Sequence, residues 1–591
     1  MILENILHSL KKFCAQFFEQ VAVINNRSNN EEISHHRLQV VIILFLFGFS
    51  VLSFRLFDIV FLRKDSISQR VVTNETMPVF QRADIVDRND VLLAVNLATA
   101  SLYANPTVLI DPKEAADKLS KVLPGLNYKQ LLNDLKSKKN FVWIKRNLTP
   151  KEQYAVNNLG IPGLYFEKGE KRIYPHDTLL CHVLGYVGLD GKGLAGAEKY
   201  FDEQLQQHME EGNLQPDPLK LTIDVRAQNI VHEELTSAIK EFSAVGAVGI
   251  IMDATNGEVM SMVSLPDFDP HNPGTANADQ LFNRATLGLY EMGSVFKAYT
   301  MAMALDTGIV TMNDSYDVNA PIKIARFTIH DYHPQGGSLT VPEIFMHSSN
   351  IGSAKISLDV GKKRQKQFLK TIGLLSPLEI EIPEKASPIF PSESKWTDIS
   401  TMTISYGHGI AVTPMHIVKT IGALVNGGTI NPVTIIKKDV EEEEDESEEI
   451  VEPIRVIKKD TSVQIRKLFR LVVEKGTGKR ADVPGYLPGG KTSTADKSAK
   501  GGYNRNTRLS SFVGAFPIHS PRYVVLVMLD EPKGTAATGG YATAGMTAAP
   551  VVGNIISRIG PLFGMQPIKE VPDEVLKELH IDNLSEELES F

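Results

Sequence analysis

The longest apolar stretch in the chain is LQVVIILFLFGFSVLSF, Leu38 to Phe54, in which Gln39 is the only strongly polar side chain. RLFDIVFL, Arg55 to Leu62, extends it, with Arg55 and Asp58 as interruptions. A bilayer core takes about 20 residues of helix, a length that residues 38–62 supply if Arg55 snorkels to the interface. A removable signal peptide is disfavoured: some 37 residues precede the run, and RKDSISQR after it offers no small-residue cleavage site. A buried core helix is usually shorter. The pattern predicts one uncleaved anchor helix. Its flanking charges do not orient it, because Arg27 and Arg37 before it face Arg55, Arg63, Lys64 and Arg70 within or after it. Ahead of it, Ile6, Leu10, Phe13, Phe17 and Val21 have helical spacing, as in an interfacial or partner-binding helix or a short helix with no specific partner.

Beyond the anchor the pattern changes twice. From Val71 to about Lys220, short β-rich pieces (ADIVD, LYANP, FVWIKR) alternate with a helical one, DPKEAADKLSKVL. The glycine-rich HVLGYVGLDGKGLAG, His182 to Gly196, predicts a strand and turns. LKLTIDVRAQNIVHEEL then leads through a helix into a new unit. There AVGAVGIIMD and EVMSMVSL are two β-rich runs joined by ATNG, and Asn-Gly between apolar strands is a strong hairpin signal. Helices are predicted over Ser294–Leu305 and Ala411–Val425, and late strands over Ser510–Pro517 and Arg522–Pro532. The sum is an α+β chain: a sheet with helices packed on it, preceded by a separate, more irregular module.

Composition alters this picture little. With 591 residues, 43% hydrophobic and 22% charged, the chain is long enough for two or more domains. A formal charge of −8 argues against a nucleic-acid binder, which needs basic patches. VEEEEDESEEIVE, Val440 to Glu452, reads as a solvated acidic insertion. Two cysteines, Cys14 and Cys181, fit neither a disulfide scaffold nor a Cys-rich zinc site.

Three short motifs carry the chemistry. EMGSVFKAYT sets Ser294 three residues before Lys297; HSSNIGSAK contains Ser348-Ser349-Asn350; LPGGKTSTADK contains Lys491-Thr492-Ser493-Thr494. Each is common alone: Ser-x-x-Lys recurs at Ser9, Ser237 and Ser392, and Ser28-Asn29-Asn30 is a second Ser-x-Asn. Their order and their position relative to the hairpin and the late strands give them weight. A serine hydroxyl is a poor nucleophile until a neighbour takes its proton. Residues three apart share a helix face, so Lys297 can reach Ser294. A lysine acts as a base only when burial or a second cation drives its proton off, and Lys491 would be that cation. Ser348 would relay the proton to a leaving amine, Asn350 would hold a substrate amide, and Lys491, Thr492 and Thr494 would receive a carboxylate. The backbone N–H groups of Ser294 and Thr494 would form an oxyanion hole.

With those motifs in place, the chain resembles the class B penicillin-binding proteins, specifically the division-specific (FtsI-type) peptidoglycan D,D-transpeptidases. The resemblance covers most of Arg82 to Pro550. RADIVDRNDVLLA and KRIYPHDTLLCHVLGYVGLDGKGLAGAEKYFDEQL resemble the family's two pedestal signatures. LTIDVRAQ, DATNGEVMSMVSLPDFDPHNP, NRATLGLYEMGSVFK, SYGHGIAVTP, VVEKGTGKRADVPGY and SFVGAFP follow in family order. Four positions depart from it. Ala83 and Asp90 replace glycines, Met292 replaces a proline, and Ser493 replaces the glycine of Lys-Thr-Gly. Strand alternation turns Ser493 to the same face as Lys491, so it is expected to narrow the cleft or alter β-lactam sensitivity without abolishing activity.

The resemblance implies a serine penicillin-binding, β-lactamase-like transpeptidase domain over 221–560. A pedestal at 63–220, an anchor at 38–62, a cytoplasmic segment at 1–37 and a tail at 561–591 complete the chain. It implies an enzyme of the inner membrane, single-pass, with its catalytic domain in the periplasm, so that Cys14 and Cys181 lie in different compartments. Ser294 would be acylated by the D-Ala-D-Ala end of a peptidoglycan stem peptide or by a β-lactam, without metal or organic cofactor. Thr492, Ser493 and Thr494 would line the substrate site. No Glu-Asp-x-x-Phe motif of a glycosyltransferase precedes Ser294, which implies a separate polymerase partner beside other division proteins. The rival readings are an elongation-type enzyme, a D,D-carboxypeptidase, a β-lactamase, and a catalytically weak scaffold or β-lactam sensor. GLAGAEKYFD and the short pedestal favour division.

Overall fold

The computed structural model describes residues 43, 45–53, 82–206, 217–324, 327–438, 454–499 and 502–581. The chain divides into two compact units, Met1–Val79 and Phe80–Phe591. In the first, residues 45–53 are helical and present Phe45, Phe47, Phe49 and Leu52 as exposed side chains. No helix among the described residues is long and apolar enough to cross a membrane. Most of the predicted anchor, the amphipathic segment from Ile6 to Val21 and the acidic run at 440–452 lie outside the described residues.

The second unit opens with a five-stranded sheet built from β1 (Ile85–Val86), β2 (Leu92–Ala104), β3 (Val142–Leu148), β4 (Leu164–Ile173) and β5 (Leu219–Lys220). The 13 residues of β2 pair with β4 along one edge and, along the other, with β1 at the start and β3 at the end. Helices α1 (Pro112–Val122), α2 (Tyr128–Leu135) and α3 (Pro150–Asn157) cover it, and each starts at a polar cap: Asp111, Asn127 and Thr149. HVLGYVGLDGKGLAG departs from its predicted strand. It forms a short helix, Cys181–Leu184, then loops carrying only the bridge between Val187 and Gly193.

The irregular part is held by charge. Glu198, with no exposed side-chain surface, accepts from Arg82 Nε at 2.5 Å and Arg172 Nε at 2.7 Å, while Arg82 also reaches Asp202 at 2.7 Å. These contacts tie the start of the pedestal to its last helical turns across more than a hundred residues. A buried carboxylate between two arginines is worth little relative to an apolar replacement, but removing one member strands the others.

The larger sheet has the order β8-β9-β10-β6-β7, antiparallel throughout, from β6 (Gly246–Asp253), β7 (Val259–Leu265), β8 (Gly489–Ala499), β9 (Gly502–Phe516) and β10 (Tyr523–Asp530). ATNG makes the predicted β6–β7 turn, with Gly257 at φ +83°. Every residue of β6 and β10 is buried, because both faces are covered. Ala247, Ile251, Val525 and Val527 pack on α4 (Val225–Phe242) and, from the late chain, on Ala548–Leu562. Val248, Ile250, Leu526 and Met528 face the opposite core, which holds Phe296–Thr307 (α5) and Pro414–Val425.

The two parts of this unit, the irregular module and the larger sheet, are joined through a shared core. Leu219, Leu221 and Ile223 lie in one core with Val248 and Ile250. Asp87 accepts from Val225 N at 3.1 Å, and Asn89 donates to Asp224 at 3.2 Å. The expected consequence of the charge cluster is that Glu198→Ala destabilises this unit by about 3–5 kcal/mol. Urea unfolding would detect it, and an unchanged midpoint would show that the clasp is dispensable.

Candidate active site

Ser294 sits in a single 3-10 turn, Gly293–Val295, that runs directly into α5. Residues Phe296 through Leu305 of that helix are all buried, so it runs through the core rather than along the surface. Lys297, in its first turn, is fully buried. Its Nζ lies 2.8 Å from Ser294 Oγ, 2.8 Å from Ser348 O, 3.0 Å from Ser348 Oγ and 2.8 Å from Asn350 Oδ1. Burial holds this amine well below the usual lysine range, the Lys491 charge adds to the shift, and the Asp331 carboxylate opposes it. A neutral amine has two protons and one lone pair. With its protons on Asn350 and the Ser348 carbonyl, its lone pair is left for the Ser294 hydroxyl proton.

Ser348 lies between the two lysines. Lys491, also fully buried, donates to Ser348 Oγ at 3.0 Å and to Thr492 O at 3.3 Å. Burial lowers its pKa to about 7. Ser348 takes the left-handed conformation, φ +61°, which a serine adopts only when its surroundings impose it. Asp331, just past the short strand Phe327–Ile329, imposes it. Its carboxylate accepts from Ser349 Oγ at 2.7 Å, Asn350 N at 2.5 Å and Ile351 N at 3.0 Å. Ser349 in turn caps the helix Asn350–Val360 (α6) through Gly352 N at 2.9 Å. Asn350 Nδ2 donates to His330 O at 3.1 Å, which leaves its Oδ1 turned to Lys297.

The third motif lies on β8, the outer strand of the sheet, so backbone groups on one side of it face away from β9. The side-chain hydroxyls of Thr492 and Thr494 bond outside the serine–lysine cluster. Thr492 Oγ1 pairs with Thr477 Oγ1 at 2.5 Å, and Thr494, exposed, accepts from Ala544 N at 3.0 Å. Because Thr494 Oγ1 is the acceptor in that bond, its own O–H remains available to an anion. Ser493 is only 3% exposed, with its Oγ turned toward Gly293.

Five of the residues singled out from sequence (Ser294, Lys297, Ser348, Asn350 and Lys491) therefore form one hydrogen-bonded cluster. Sequence reasoning missed Asp331, Thr477 and the Ala544 amide. The Thr477 position lies within the quoted VVEKGTGKRADVPGY, so a signal was present; Asp331 stands in no motif.

Residues 247–557 match the penicillin binding protein transpeptidase domain, and residues 79–219 match the penicillin-binding protein dimerisation domain. A probable peptidoglycan D,D-transpeptidase FtsI of Caulobacter vibrioides is 40% identical over 495 residues, 82% of each chain. The chain is a class B penicillin-binding protein of the FtsI type. A probable peptidoglycan D,D-transpeptidase PenA of Neisseria meningitidis is 31% identical, over 87% of this chain and 90% of that one. A crystal structure of a peptidoglycan synthetase from Bifidobacterium adolescentis shares the fold, with a TM-score of 0.65 at 21% identity over 84% of this chain and 97% of that one.

In this penicillin-binding protein the buried lysines have a measurable consequence for stability. Lys491 titrates near 7 when folded and at about 10.4 in an unfolded chain. Between those values the unfolded state binds more protons, so this residue makes stability rise with pH through that window and contributes a constant penalty below it. The urea midpoint should therefore climb less between about pH 7 and pH 9 in Lys491→Met than in wild type. Parallel curves would show that Lys491 is not buried as an amine.

Proposed function

We infer that this chain is a serine-type peptidoglycan D,D-transpeptidase that cross-links stem peptides during septal wall synthesis and is a target of β-lactams. The observation that carries the reading is the buried Lys297 amine 2.8 Å from Ser294 Oγ, with a second buried amine, Lys491, close enough to share the Ser348 hydroxyl.

On this reading Ser294 Oγ attacks the carbonyl of the penultimate D-Ala as its proton passes to Lys297. The N–H groups of Ser294 and Thr494 receive the oxyanion, a contribution of a few kcal/mol in sites of this kind. The C–N bond breaks, the departing D-Ala amine takes a proton through Ser348, and the acyl group stays on Ser294 as an ester. An amine from a neighbouring stem then attacks that ester, the acyl C–O bond to Ser294 breaks, and the amine's surplus proton returns along the same path to Ser294 Oγ. Lys491, Thr492 and Thr494 hold the terminal carboxylate. Asn350 binds the substrate amide through the part of its side chain not committed to Lys297.

The chain acts outside the inner membrane, anchored by residues 38–62, with a glycosyltransferase and other division proteins as partners. The continuous apolar run and the exposed phenylalanines of helical residues 45–53 support the anchor. Six large apolar side chains exposed within nine residues are disfavoured in water.

The test is intact-protein mass spectrometry of the full-length chain in detergent after mixing with benzylpenicillin. Wild type should gain one stable drug mass, Ser294→Ala none, and Lys297→Met should acylate about 10²–10⁴-fold more slowly. Rapid turnover of the drug would instead indicate a β-lactamase. Absence of both adduct and turnover would leave a non-catalytic scaffold.

A further inference from the structure

Gly293, the residue before the nucleophile of the proposed reaction, has no slack on either side. A Cβ built on Gly407 would lie 2.2 Å from Gly293 O and 2.6 Å from Gly293 N, so the SYGHG loop presses directly on its backbone. A Cβ built on Gly293, which has φ +49°, would lie 2.5 Å from Ser493 Oγ and 3.1 Å from Ala495 Cβ. Alternation along β8 turns Ser493 and Ala495 to the same face, and together they form the second wall. The turn that carries Ser294 is thus held between a loop and a strand.

Ser493 is the unusual member of this sandwich. Its hydroxyl is buried, with the residue 3% exposed, and meets no hydrogen-bond partner among the described residues. Leaving a hydroxyl unpaired in the interior is unfavourable, and the resembling family has glycine there. The atom that bears on Gly293 is Oγ itself.

The location gives that contact leverage. The N–H of Ser294 belongs to the peptide unit joining Gly293 to Ser294, and the N–H of Thr494 belongs to the unit joining Ser493 to Thr494. Resting on the proposed reaction, in which these two groups receive the oxyanion, we propose that Ser493 is a specificity-determining spacer that fixes their separation and biases acylation against conformationally rigid acyl donors. A fused β-lactam ring locks its carbonyl relative to its carboxylate. It cannot adjust when the oxyanion donors and the carboxylate groups on β8 are held at a set spacing. An acyclic peptide ester or thioester meets the same spacing by rotating single bonds. Shrinking the spacer lets the turn and the strand relax toward a rigid ligand; enlarging it does the reverse.

The experiment measures second-order acylation rates of the full-length protein in detergent with benzylpenicillin and with an acyclic acyl-D-alanyl thioester, for wild type, Ser493→Gly, Ser493→Ala and Ser493→Cys. The readout is the penicillin-to-thioester ratio, which cancels a general loss of active protein. Gly and Ala should raise it by about fivefold or more, and Cys, with its larger sulfur, should lower it. Ser493→Ala guards against a folding defect, since it removes an unpaired buried hydroxyl and should melt no lower than wild type. A ratio within twofold of wild type in all three variants overturns the spacer and leaves the transpeptidase reading standing. A wild-type protein that accepts neither probe overturns that reading, and the spacer with it.

Discussion

A primary amine is kept out of water beside a serine hydroxyl, and the surrounding structure is organised to make that possible. Lys297 belongs to a helix whose first ten residues are buried, so its side chain has no route to solvent. Removing an ammonium group from water is so costly that the proton is given up instead. Lys491 enters from the sheet and makes protonation of Lys297 costlier still, while Asp331 limits how far the shift goes. The two amines share the Ser348 hydroxyl, so the base and the second cation are held in one hydrogen-bonded group.

That arrangement needs three segments remote in sequence to meet within hydrogen-bond distance, and the doubly covered sheet brings them together. Strands β6 and β10 are buried on both faces and form its rigid centre. β8 lies at the edge, two strands away from β10, where its backbone and the Lys491 side chain are presented to the turn before α5. The helical side contributes Ser348 through a strained backbone that Asp331 stabilises by accepting three hydrogen bonds from the next three residues. The strain at Ser348 and the charge of Asp331 are thus parts of one device: the carboxylate that holds the turn also acts electrostatically on the base.

Much of this was legible in the sequence. The three motifs named the five clustered residues through their order, their position relative to the hairpin and late strands, and the family resemblance they carry. The hairpin at ATNG and the apolar runs of β6 and β10 were equally plain. Asp331 was not, because one aspartate among many carries no pattern, and its partners are backbone amides that a sequence does not display. The stretch His182–Gly196 misled because its valines and glycines suit a strand, whereas its backbone bonds to side chains instead: Gly191 O to Arg82, Gly193 N to Asp202 and Gly196 N to Glu384. The boundary near Lys220 is a change of pattern across which the core runs on, with Leu221 and Ile223 packed in the larger core.

Ser493 shows where motif reading stops. Alternation places its side chain on the Lys491 face but does not say what stands opposite it there. Gly293 stands there, and Gly293 and Gly407 lack the side chains that would keep the turn, the loop and the strand apart. In so tight a layer a single hydroxyl bears on spacing. A departure from a motif is therefore understood by what stands opposite it. Here that is the peptide unit that positions the nucleophile, which makes an apparently minor substitution a matter of geometry at the reacting carbonyl.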